Sequence, residues 1–151
     1  MKSQRVQEIL DKEKTGVKIQ MMDKTAHTAQ EAAEVLGCRV SQIAKSLVFK
    51  TESGKYFIVV AAGDKRVDEE ILEQAVEEKV VKAPAKEAEK ITGFTIGGIP
   101  PMGHKVKLPV YFDNNLLAQK TIWAAGGHHQ ALFEIDPKLL LKVCQGIIFN
   151  L

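Results

Sequence analysis

The chain has 151 residues, of which 45% are hydrophobic and 26% charged, with a formal net charge of +2. That length suits one compact domain spanning residues 1–151, with a substantial core, and is short for two. A charge so close to neutral argues against a protein that coats duplex DNA, which would carry a strong basic stripe, but it leaves room for a partner offering a few phosphates.

Cys38 and Cys144 lack a C-x-x-C spacing, so two buried thiols in a reducing compartment are expected rather than a zinc site or a redox pair. No run approaches the roughly 20 apolar residues of a membrane span. The opening MKSQRVQEIL has no apolar core of a secretory signal. A cytoplasmic protein without a membrane partner is the expectation.

In chain order, Val6, Ile9 and Leu10 make an apolar stripe on a helix predicted over residues 3–14, with Gly16 beyond its end. Residues 17–22 are predicted to be a strand. Thr28 and Glu31 form a capping box that opens a second helix, which Gly37 stops. A hairpin follows, with strands over 45–50 and 55–61 and a turn at Glu52-Ser53-Gly54. Next come a helix over 68–76, a strand over 79–83 and a Lys/Glu-rich helix from Pro84 to Gly93. Strands are then predicted over 106–112, 121–125 and 131–135. Asp136-Pro137 opens a last helix, and GIIFNL closes the chain as a strand. Several strand pairs are joined by turns too short for a parallel crossover, so a mixed sheet with packed helices is expected. No G-x-G-x-x-G opens a helix after the first strand, which disfavours a dinucleotide cofactor.

Lys45 breaks the pattern. In an extended SQIAKSLVFK, Ile43, Lys45, Leu47 and Phe49 share one face, and three of these four are apolar. An ammonium on an inward face costs several kcal/mol to desolvate, roughly, unless it is paired or lines a wet pocket. Lys45 therefore either snorkels from a strand end or serves a pocket, where it could stabilise negative charge. Beside it, Ser46 lacks the G-x-S-x-G setting of a serine nucleophile.

Two glycine-rich stretches follow. Five glycine or proline residues fall between Gly97 and Gly103, including Gly97, Gly98 and Pro100 around Ile99. Such a loop either connects strands tightly or lets backbone approach a ligand. Gly126-Gly127 before His128-His129 could make a second turn at a pocket rim. These histidines and His104 lack the H-x-x-x-H or H-E-x-x-H spacing of a metal site, so no metal is expected. His27 is expected at the surface, and Trp123 and Tyr111 fit core packing better than base stacking.

Six collinear pieces carry a resemblance: HTAQEAAEVLG, IAKSLVF, VVAAGDKRVD, TGFTIGGIPPMGH, VYFDNNLL and the late AAGG. Together they resemble the YbaK/ProX family of aminoacyl-tRNA deacylases, relatives of the editing domain of bacterial prolyl-tRNA synthetases. The resemblance implies an α/β domain with a curved, partly barrel-like mixed sheet and one substrate pocket. It implies hydrolysis of the ester between a small amino acid (alanine, cysteine or serine) and tRNA, with no cofactor. It places the essential lysine at Lys45, next to Ser46. It gives Gly97, Gly98, Ile99 and Pro100 the pocket wall, with backbone amides for an oxyanion. Gly126 and Gly127 match the family's second glycine turn, and His128 or His129 becomes a candidate for the substrate amine. Members that remove cysteine carry an S-G-G-R-R-G-type turn there, which this chain lacks. The acceptor end of an aminoacyl-tRNA is the implied partner, with a synthetase to deliver it. A non-catalytic module that binds aminoacyl-tRNA and a simple esterase are the alternatives.

Overall fold

The structure is a computed structural model and describes residues 2–150. Helix α1 (Lys2–Lys12) buries Val6 and Leu10. After it, Val17 and Ile19 do not join the sheet. The Gln7 side-chain amide donates to Val17 O at 2.9 Å and accepts from Ile19 N at 2.8 Å, standing in for a neighbouring strand. The strand predicted over 17–22 is accordingly reduced to β1 (Gln20–Met21).

Helix α2 (Ala29–Leu36) starts at Thr28, whose hydroxyl accepts Glu31 N at 3.1 Å, and ends at left-handed Gly37. A short 3₁₀ turn, Val40–Gln42, leads into β2 (Ile43–Thr51). The hairpin to β3 (Tyr56–Ala62) closes through Thr51 N to Lys55 O at 2.8 Å and Gly54 N to Thr51 O at 2.9 Å. Helix α3 (Glu69–Val76), capped by Asp68, precedes β4 (Val80–Lys82). Helix α4 (Ala85–Thr92) follows Pro84 and stops at Gly93.

The strand predicted over 106–112 shrinks to β5 (Val110–Asp113). Upstream, Lys105 N and Val106 N donate to Thr92 O and Ile91 O, so this stretch is spent on tying off α4. Pro109 has no N–H to give a ladder. A 3₁₀ turn at Asn114–Ala118 leads to β6 (Ile122–Ala125) and β7 (Ala131–Ile135). Helix α5 (Pro137–Val143), capped by Asp136, and β8 (Ile147–Phe149) end the described chain.

Among the described residues eight strands form one mixed sheet in the order β1-β7-β6-β2-β3-β5-β8, with β4 added to β2. The β2–β6, β3–β5 and β5–β8 pairs are parallel and the others antiparallel. The path is open, since β1 and β8 are its two ends. Both faces are covered. Ala44, Val48, Ile58, Val60 and Phe112 belong to the principal core with Val6 and Leu10 of α1. Phe49, Phe57, Val59 and Leu72 of α3 make a second cluster, and Ile43 joins Ala32 and Ala33 of α2 in a third. Trp123 packs on that third cluster, and Tyr111 meets Phe57 and Phe149 edge-on within the second. Cys38 and Cys144 are both free thiols; Cys144 is buried, which pushes its thiol up to about 12, whereas Cys38, expected to be buried, is only partly so just beyond α2.

Among the described residues Asp113 is the one fully buried carboxylate. Its Oδ2 accepts Ala62 N at 2.9 Å, and its Oδ1 accepts Asn115 N and Asn115 Nδ2, each at 2.8 Å. Hydrogen bonds to a charged group contribute about 1.5–3 kcal/mol, and orphaned buried amides cost more. Asp113→Ala is expected to lower stability by about 2–3 kcal/mol in urea denaturation, read by Trp123 fluorescence.

Candidate functional site

Strand β2 has three partners. Along one edge it pairs with β3 over its whole length, from Ala44↔Ala62 to Lys50↔Tyr56. Its other edge is divided: Ile43 and Ala44 pair with β6, while Phe49 to Thr51 pair with β4. Between β6 and β4 the sheet is split, and a cavity of about 650 Å³ opens there, lined by Lys45, Ser46, Leu47 and Val48 among others. This size suits a ligand of several functional groups.

The cavity reaches both faces of β2 and both faces are covered, so the parity that places Lys45 among Ile43, Leu47 and Phe49 does not single out one interior face. That face is the one covered by α2 and α3, and the principal core lies on the other, with Ala44 and Val48. Lys45 sits where the second and third clusters leave a gap. Its Nζ donates to Lys65 O at 2.6 Å and to Gly63 O at 3.5 Å.

The turn that offers these carbonyls is fixed from several sides. Gly63 N donates to Ile43 O at 2.7 Å and Lys65 N to Ala62 O at 3.0 Å, while Asp113 holds Ala62 N. Gly63 lies so close to the 3₁₀ turn that a Cβ would come within 2.6 Å of Val40 O, so only glycine fits. An ammonium has three donors, and two are engaged here, which leaves one for the cavity. Burial holds the Lys45 pKa below the usual lysine value, and the Lys82 charge adds to this, while Asp64 and Asp113 oppose it.

The cavity is chemically two-sided. Lys45, Arg66 and Lys82 line it against one carboxylate, Glu69. Its remaining wall includes Ala44, Val48, Ala83, Ala88, Ile99 and Leu132. Positive charge beside small apolar side chains suits an anionic ligand that carries a compact apolar group. Ser46 Oγ has no histidine partner, and no cysteine lines the cavity, so the described wall holds no nucleophile paired with a base.

Of the residues singled out in the sequence, Lys45, Ser46, Gly97 and Ile99 line this cavity. Gly98 and Pro100 stand behind the wall. The Gly98 amide donates to Thr95 O at 2.9 Å, and a Cβ there would meet the His128 backbone at 2.9 Å. Pro100 O receives His104 Nε2 at 2.7 Å, and burial holds the His104 pKa down. Gly126 N donates to Ala131 O and packs on Ile19, while Gly127 fits against Phe94 and Lys2 O. His128 stacks on His129 at 4.1 Å, and His129 stacks on His27 at 4.9 Å. Only His27 of the three lines the cavity, and it is also exposed, as expected from the sequence. Sequence reasoning passed over Arg66, Lys82 and Asp113. Arg66 and Asp113 lie inside VVAAGDKRVD and VYFDNNLL, but no periodicity marks either one.

Comparison with known proteins decides the family. Residues 23–143 match the model of the aminoacyl-tRNA editing domain. The chain belongs to that family. The editing-domain match includes both edges of the split sheet and every cavity residue named above. The chain is similar to protein YwhH of Bacillus subtilis, 34% identical over 118 residues, covering 78% of this chain and 75% of that one. It is 28% identical over 120 residues to EbsC of Enterococcus faecalis, whose name provisionally assigns it Cys-tRNA(Pro)/Cys-tRNA(Cys) deacylation. That match covers 79% of this chain and 73% of EbsC. Among solved structures, a candidate trans-editing enzyme for prolyl tRNA synthetase superposes with a TM-score of 0.91 at 37% identity. It covers 99% of this chain and 95% of its own. The mixed α/β sheet is thus the editing-domain fold. Among the described residues no helix is long and apolar enough to cross a membrane.

If Lys45 serves ligand rather than fold, removing its charge does not harm the native state. Lys45→Met is expected to be at least as stable as wild type in thermal unfolding. The native chain releases this proton at lower pH than the unfolded chain does, so wild type gains stability on Lys45→Met as pH rises through the interval just below 10.5. Paired urea titrations across that interval check the sign.

Proposed function

We propose that this editing-domain protein acts in trans as a hydrolase, removing a small amino acid (alanine, cysteine or serine) from a mischarged tRNA. The observation that carries this reading is the position of Lys45, a partly desolvated cation with one free donor, beside the gap between β6 and β4. The names of EbsC and of the similar trans-editing structure support the reaction and point to a prolyl-tRNA synthetase as the source of the mischarged tRNA.

The reaction asks little of the protein. The oxygen of a water molecule bonds to the ester carbonyl carbon, the bond to the ribose oxygen breaks, and a water proton ends on that oxygen. An aminoacyl ester is already activated, so positioning and charge stabilisation can carry the rate without a triad. Lys45 directs its free N–H at a phosphate or carbonyl oxygen. Arg66 and Lys82 add positive charge for the acceptor end, and the alanine-lined wall takes the amino-acid side chain. One methylene in such a wall is worth about 1–3 kcal/mol, so the filter is exclusion by size.

Deacylation of a panel of correctly and wrongly charged tRNAs tests this. Wild type is expected to release one or two small amino acids rapidly, and Lys45→Ala to lose at least about 100-fold in rate with its fold intact. Binding without release from any member of the panel would leave a carrier of aminoacyl-tRNA instead. The pH profile is a second check. A rate that needs the Lys45 ammonium falls on the alkaline side at a pKa below the usual 10.5, after subtraction of spontaneous hydrolysis.

A further inference from the structure

Among the described residues, the split edge of β2 leaves both the N–H and the C=O of Ser46 without a backbone partner. Gly63 N donates to Ile43 O at 2.7 Å and Thr51 N to Lys55 O at 2.8 Å. Odd-numbered residues of β2 therefore turn their amides and carbonyls toward β3, and even-numbered ones turn the other way. On that other side Ala44 is in register with Ala124 of β6, and Lys50 with Val81 of β4. Val48 O accepts Ala83 N at 2.9 Å. Ser46 falls between them. Neither β6 nor β4 extends opposite it among the described residues, and it lies on the cavity wall.

A strand residue turns one N–H and one C=O to its neighbour, and an antiparallel neighbour answers both with a single residue. An aminoacyl group is such a residue, with its amine on one side of the α-carbon and its carbonyl on the other. We propose that the free main chain of Ser46 docks the aminoacyl group as a one-residue antiparallel strand in the gap between β6 and β4. The substrate ammonium donates to Ser46 O, and the ester carbonyl oxygen accepts from Ser46 N–H. That N–H then faces the oxygen on which negative charge grows when water adds, the role that Gly98 N cannot fill while it is bonded to Thr95 O.

The docking fixes handedness. Directly opposed residues of a ladder point their side chains to the same face. An L-aminoacyl side chain therefore falls on the Ser46 face, between Ala44 and Val48, toward Ala83, Ala88 and Ile99. A D-aminoacyl group docked the same way points to the Lys45 face instead. The limit on side-chain size is thus set by the Ser46 side chain and its alanine neighbours.

This inference rests on the proposed reaction, so its test has one arm that needs no turnover. The probe is 3′-alanylamino-3′-deoxyadenosine, an amide that is not hydrolysed, added to ¹⁵N-labelled wild-type protein. The Ser46 amide resonance is expected to move downfield, and an unmoved Ser46 signal with bound probe overturns the docking whatever the enzyme hydrolyses. In the second arm, Ser46→Val is expected to lower alanyl-tRNA and seryl-tRNA hydrolysis at least tenfold more than glycyl-tRNA hydrolysis. D-Alanyl-tRNA is expected to react at least tenfold more slowly than the L form. Replacing the residue-46 amide by an ester, with the serine side chain kept, deletes only the donor and is expected to reduce hydrolysis of all substrates about 100-fold. Equal losses for glycyl and alanyl esters in Ser46→Val, or full activity in the ester variant, overturn the proposal. A shifted Ser46 amide with no hydrolysis of any tRNA supports the docking and rejects the reaction.

Discussion

A strand has two edges, and β2 serves three neighbours with them. Pairing with β3 takes one edge from end to end, so β6 and β4 must share the other. Each takes two or three residues at opposite ends, and the residues between them cannot be paired by either. The cavity is the space left by this division, and its position follows from the topology before any side chain is considered. What the side chains decide is its chemistry. Lys45 and Ser46, adjacent in sequence, deliver a cation to one face of the split and a hydroxyl to the other.

Holding such a gap open requires support around it. Asp113 anchors the end of β3 through Ala62 N, and the turn beyond it presents two carbonyls to Lys45. The glycines of residues 97–103 and 126–127 make close packing their main contribution. Gly98 lets the loop lie against the His128 backbone, and Gly127 lets the next turn lie against Phe94 and Lys2. At Gly98 a Cβ would come within 2.9 Å of the His128 backbone, too close to fit, and at Gly127 tight contacts of 3.0–3.2 Å combine with a φ of +99° that favours glycine. The glycine-rich loop therefore reaches the cavity with Gly97 and Ile99, while the residues around them hold it against the next turn.

Much of this was legible in the chain. Helices α2 and α5 announce themselves through caps at Thr28 and Asp136, and α2 and α4 through stops at Gly37 and Gly93, and each is found where those residues stand; Asp68, read as the first residue of a helix, proves to be the cap of α3. Strand lengths were harder to read. Residues 17–19 and 105–106 have strand-like composition, yet Gln7 and the end of α4 take their hydrogen bonds, and no local pattern reveals a distant competitor. The misfit of Lys45 was visible from alternation, although that rule assumes a single buried face, and here both are covered. Arg66, Lys82 and Asp113 were not legible as site or support, since surface cations and a turn aspartate carry no periodicity of their own. Their meaning comes from a long-range register that only the folded sheet supplies.

An unpaired length of strand edge is ordinarily a liability, because it invites pairing with another chain. This one is protected by its brevity. With β6 on one side and β4 on the other, a second protein's strand has no room to run, whereas a single residue has. The partly desolvated ammonium of Lys45 has the same character, since burial opposes its charge and the charges of Asp64 and Asp113 only partly compensate. Two features that weaken the fold stand next to each other in sequence, on opposite faces of one strand, at the mouth of one cavity. Neither is explained by packing, and a ligand that brings both an anion and a strand-like backbone would satisfy them together. The terminal aminoacyl-nucleotide of a charged tRNA has both.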